Sequence, residues 1–161
     1  SNAVNTAANS VSPNALTTYT VTVTDGNNCT AISSSTVTVN TLPIATINPS
    51  AVAVCIGNSA TLTASGGADY LWNNGLTIVA ITETPISSTP YSVTVTDANL
   101  CTAVATAIIT VNQLPVTTIN PAATAICNGA SATLSASGGV SYAWSNAVNT
   151  VSINVSHLFS F

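Results

Sequence analysis

The sequence predicts an all-β protein made of tandem immunoglobulin-like β-sandwich modules that repeat every 72 residues. Two observations carry this. Residues 91–115, YSVTVTDANLCTAVATAIITVNQLP, occur earlier at 19–43 as YTVTVTDGNNCTAISSSTVTVNTLP. In addition, Cys29 and Cys101, Pro43 and Pro115, Cys55 and Cys127, and Trp72 and Trp144 are all 72 positions apart. A period this regular marks tandem copies of one supersecondary unit. No stretch carries a helical period, and apolar residues instead alternate with Thr, Ser and Asn, the pattern of half-buried strands.

The period divides the 161 residues into three parts: 1–41 is the C-terminal part of one module, 42–113 is a complete module, and 114–161 is the N-terminal part of a further one. Residues 1–17 and 145–161 occupy the same phase, and SNAVNT stands at both 1–6 and 145–150. Joining the two ends would therefore duplicate a segment. With no initiator Met and no signal peptide, the chain reads as a mature product or a piece of something longer. The last part, lacking its closing hairpin, is expected to leave open edges and apolar faces.

Within 42–113, residues 44–54 read as an edge strand interrupted by Pro49, because proline cannot donate to a ladder. After a turn at Ile56-Gly57-Asn58, Ala60, Leu62 and Ala64 alternate with Thr61, Thr63 and Ser65, which makes 59–65 a half-buried strand. Beyond Gly66-Gly67, Tyr70 and Trp72 share one strand face and lead into the turn Asn73-Asn74-Gly75. Residues 76–90 hold one or two short strands broken at Pro85. The hairpin follows: Tyr91, Val93 and Val95 point inward on its first strand, and Ala103, Ala105, Ala107, Ile109 and Val111 on its second. About seven short strands around a central Trp fit a two-sheet sandwich. The expected core aromatics are Tyr70, Trp72 and Tyr91, with Tyr142 and Trp144 in the following copy.

Composition narrows the function. The chain has no Lys or Arg, one His, and four acids: Asp25, Asp69, Glu83 and Asp97. Without cations to neutralise phosphates, nucleic acid and anionic membranes are not expected partners. No apolar run reaches the roughly 20 residues of a membrane span. Low charge leaves little repulsion between copies, which suits a chain that associates or forms arrays.

Cysteine usage, two per period, fits an extracellular domain too small to be comfortably stable alone. Three states are open for Cys29, Cys55, Cys101 and Cys127. The first is a Cys55–Cys101 bridge inside the complete module, against which stands the expectation that the two turns lie at opposite poles, about 20 Å apart for a six-residue strand. The second is a staple between successive modules, and the third is free thiols. A zinc site is disfavoured because there are no paired CxxC motifs and the one histidine, His157, stands far from the cysteines in sequence.

Catalytic constellations are weak. His157 stands alone in a divergent tail, and the Asp69 and Glu83 positions become Ser141 and Val155 one period later. Asp25 and Asp97 sit at hairpin turns, where an Asp caps its own turn through backbone N–H groups; calcium there would lack oxygen ligands. Tyr70 and Trp72 as a sugar-stacking platform is the alternative to a core role. Asn28-Cys29-Thr30 and Asn154-Val155-Ser156 match the N-glycosylation triplet. No metal or cofactor is expected.

The complete module resembles the tandem Ig-like or PKD-like repeats of giant surface proteins and gliding-motility adhesins of Bacteroidota, commonly exported by the type IX secretion system. The likeness rests on Cys55-Ile56-Gly57 with Ala60-Thr61-Leu62-Thr63-Ala64, Tyr70-Leu71-Trp72, Tyr91-Ser92-Val93-Thr94-Val95-Thr96-Asp97 with Cys101, and Leu114-Pro115. That family usually has Gly immediately before the second cysteine, where Asn28 and Leu100 stand here, and it normally tolerates Lys and Arg. The resemblance implies a non-enzymatic, extracellular stalk or filament on the cell surface, with neighbouring copies of the module as partners. Two other roles are open: a module binding a glycan or protein ligand within a larger secreted protein, and a pilus-like subunit whose strands complement another chain.

Overall fold

The computed structural model describes residues 8–156 and contains twelve strands and no helix among them. The chain is all-β, with the architecture of a β-sandwich.

The central part holds β3 (Thr46–Asn48), β4 (Ala51–Cys55), β5 (Ala60–Ser65), β6 (Asp69–Trp72), β7 (Ala80–Glu83), β8 (Thr89–Thr96) and β9 (Thr102–Asn112). One sheet has the order β3-β5-β7 and the other β4-β9-β8-β6. Residues 44–54, expected as one edge strand, are two. The chain leaves the first sheet after β3, turns at Asn48-Pro49-Ser50, and enters the second as β4, parallel to β9. Both pieces are edges of their sheets, as a proline-interrupted segment requires. Between residue 76 and the start of β8 at Thr89 there is a single strand, β7.

Alternation decides what goes inside. Leu62 and Ala64 on β5, Trp72 on β6, Ile81 on β7, Val93 and Val95 on β8, and Ala107 and Ile109 on β9 form one closed core with Ile47 and Tyr91. Burying a Leu, Ile or Val side chain of this kind contributes roughly 1.5–3 kcal/mol. Ser92, Thr94 and Thr96, which alternate with Tyr91, Val93 and Val95, are half-buried.

The flanking parts use the same strands one period away. Before the central part, β1 (Thr17–Thr24) and β2 (Thr30–Val37) form an isolated antiparallel hairpin, in the register of β8 and β9. After it, β10 (Thr118–Asn120), β11 (Ser131–Ser137) and β12 (Ser152–Ser156) form a three-stranded sheet in the order of β3-β5-β7. The first flank thus carries a hairpin of one sheet, and the second carries the whole of the other.

Candidate functional site

Most polar groups singled out by sequence have structural partners. Asp97 Oδ1 accepts the backbone N–H groups of Asn99 (2.8 Å) and Cys101 (2.9 Å), and Asp25 Oδ1 accepts those of Asn27 and Cys29 (both 2.8 Å). These bonds hold the Asp25 carboxyl below its usual range, the Cys29 amide contributing most. Each turn also closes through its backbone, Leu100 N–H to Asp97 O and Asn28 N–H to Asp25 O (both 3.1 Å).

The residues before the hairpin cysteines, Leu100 and Asn28, have φ of 62° and 66°. This left-handed position is what glycine meets without steric cost, and Leu100 meets it with a bulky, 80% exposed side chain. Sequence reasoning flagged the residue but not the conformation.

Glu83 accepts a bond from Asn74 Nδ2 at 2.7 Å and lies on β7, while Asp69 lies on β6 in the other sheet. Tyr91 is buried, and desolvation, with the Glu83 charge adding, pushes its hydroxyl pKa up. Among the described residues no three His, Cys, Asp or Glu side chains cluster as metal ligands. His157 lies outside the described residues.

The aromatic pair is fixed by backbone carbonyls. The Tyr70 hydroxyl donates to Gly67 O (3.0 Å) and Trp72 Nε1 donates to Ile78 O (2.8 Å). One period later Tyr142 donates to Gly139 O (2.8 Å) and Trp144 to Thr150 O (2.7 Å). Local geometry therefore repeats, but burial does not. Trp72 and Tyr91 are buried, Tyr70 is half-buried, and Tyr142 and Trp144, expected in a core, are also only half-buried. Their side chains line a cleft of about 250 Å³ with Ile119 and Ala136.

Of the three cysteine states left open by the sequence, the register corrects the internal bridge. All four thiols are free, Cys29, Cys55 and Cys127 exposed and Cys101 half-buried. Cys55 stands opposite Asn112 at one end of β9, and Cys101 precedes Thr102 at the other. That strand length separates them by about 35 Å, against the 7 Å or less between Cα atoms that a bridge needs. The internal Cys55–Cys101 bridge is therefore excluded, and none of the four cysteines is bridged in this structure.

Neither a protein-family model nor a curated protein sequence matches the chain.

Proposed function

We propose that the protein is a non-enzymatic, extracellular structural and adhesive repeat protein, forming a stalk or filament on the cell surface, with immunoglobulin-like modules as the repeated element. The observation carrying this reading is the reuse of the turn aspartates and of the Tyr/Trp pair for the same local structural bonds one period later. Asp25 and Asp97 cap equivalent turns, and Tyr70 and Tyr142 hold equivalent glycine carbonyls. Trp72 and Trp144 likewise each bond a carbonyl six residues on. Side chains occupied in this way are poor candidates for turnover and well suited to a copied scaffold.

A ligand-binding module would call for an aromatic platform in one unit that its neighbour lacks. In the central sandwich Trp72 is closed inside, and the Tyr70 hydroxyl is engaged by Gly67. Antibodies raised against the 161-residue chain, applied to intact cells of the source organism with immunogold detection, test the reading. Label at the outer surface, lost on brief protease shaving, is expected; label confined to the cytoplasm overturns it.

A further inference from the structure

We propose that Asn128 is a self-modifying site: it deamidates through a succinimide formed with the backbone nitrogen of Gly129, placing a carboxylate in a part of the chain that has none. Glycine follows Asp or Asn at three places, Asp25-Gly26, Asn74-Gly75 and Asn128-Gly129. With no Cβ, glycine leaves its own nitrogen the least shielded. Such a pair cyclises where the side chain and the glycine amide are both free to meet.

Two of the three are tied down. Asp25 Oδ1 is taken by the N–H groups of Asn27 and Cys29 (both 2.8 Å). Asn74 is held at both ends of its amide: Nδ2 donates to Glu83 Oε1 (2.7 Å), and Oδ1 accepts the Leu76 N–H (3.1 Å). The nitrogen that would attack it is occupied as well, because Gly75 is the fourth residue of its turn and its N–H closes that turn on Trp72 O (2.9 Å).

Asn128-Gly129 has none of these restraints. Its turn is closed one residue further along, by Ala130 N–H to Cys127 O (3.0 Å), so Gly129 is the third residue, at φ 83°, and its amide is not the closing one. Among the described residues no hydrogen bond engages the Asn128 side chain or the Gly129 N–H, and both residues are exposed.

This openness belongs to the turn itself. In the closed central copy the equivalent turn has the same bond, Asn58 N–H to Cys55 O (3.0 Å), and the same left-handed glycine, Gly57 at φ 89°. A Cβ on Gly57 would meet nothing within 4 Å. What differs is the residue before the glycine. Ile56 stands there in the central copy and has no amide to react, so the modification is confined to one copy.

The step balances with water as the only co-reactant. The Gly129 nitrogen gives up its proton to hydroxide and attacks Asn128 Cγ; the Cγ–Nδ2 bond breaks and ammonia leaves. Water then opens the imide at Cγ to give aspartate, or at the main-chain carbonyl to give isoaspartate, whose backbone is longer by the Cβ. Either product adds one negative charge, taking the formal net charge from −4 to −5, and supplies the first carboxylate after Asp97. In a chain with so few charges this raises the repulsion between copies, and the turn records the age of the chain as charge.

The folded 161-residue chain, kept at mildly alkaline pH and mapped over time by peptic digestion and mass spectrometry, tests this. Conversion at Asn128 is expected to outrun that at Asn74 about tenfold, the factor that one or two hydrogen bonds hold back. In urea, where both asparagines are released, the two rates are expected to converge. Equal rates in the folded chain, or Asn128 still intact there after the chain in urea has converted, overturn the proposal. A gap that persists unchanged in urea traces to the neighbouring residues and not to the turns, and overturns it too.

Discussion

Trp72 and Trp144 sit in the same local sequence, on the same turn, with the same indole hydrogen bond, yet one is 2% exposed and the other lines an open cleft. The difference lies wholly in the strands across from them. The central part has β8 and β9 to close its core, whereas the half at 114–156 has only the sheet β10-β11-β12. Hydrogen bonds spanning a few residues hold each Trp in place. Only a second sheet removes it from water.

Substitutions at equivalent sites sharpen this contrast. The largest expected effect is at Leu62, which is 0% exposed: Leu62→Ala should cost about 2–5 kcal/mol by cavity formation, measured by denaturant unfolding of the central part. Leu134→Ala, on a half-buried residue, should cost well under half of that in dilute protein. Equal costs would mean that the core at 114–156 is already closed.

Glycine comes next. Gly67→Ala drives a Cβ into the Thr96 carbonyl and Val95, and should destabilise by about 1–3 kcal/mol. The same change at Gly139 should leave the stability of dilute protein within about 0.5 kcal/mol.

Smaller gains are expected where side chains occupy left-handed positions. Leu100→Gly and Ala147→Gly, at φ of 62° and 64°, should each stabilise by about 0.5–1 kcal/mol, seen as a raised Tm. Ala147 stands where the central part has Gly75, at φ 85°, so its relief tests whether the two turns are equivalent.

The smallest effect concerns Asp25. Its folded pKa lies below the ordinary 3.8, so the stabilisation of its turn is present above that value and is lost as pH falls through the lowered one. Amide exchange at Asn27 and Cys29 should accelerate over that acidic window, and Asp25→Asn should abolish the pH dependence. Oxidation offers one more check. Non-reducing peptide mapping should find no Cys55–Cys101 linkage, since β9 holds the two residues apart.

Much of the fold was legible because it is local. The alternation of Ala60, Leu62 and Ala64 with Thr61 and Thr63 marks β5, and Asp97 ahead of Cys101 marks a capped turn. The division of 44–54 was not legible. Pro49 announces an interruption, but only the positions of β5 and β9 decide that β3 joins one and β4 the other. Likewise Leu100 could be recognised as departing from glycine, while its positive φ follows from the geometry of the closed hairpin.

The amino-acid sequence by itself determined the 72-residue period and the near-absence of charge, which are properties of the residue string, and the strands and turn chemistry, which depend on residue identity within about ten positions. Tertiary structure alone decided which copies of the same side chains are buried, where the chain changes sheets, and that Cys55 and Cys101 stay apart. Burial and separation depend on strands distant in the chain, and the same residues remain half open wherever those strands are not in place.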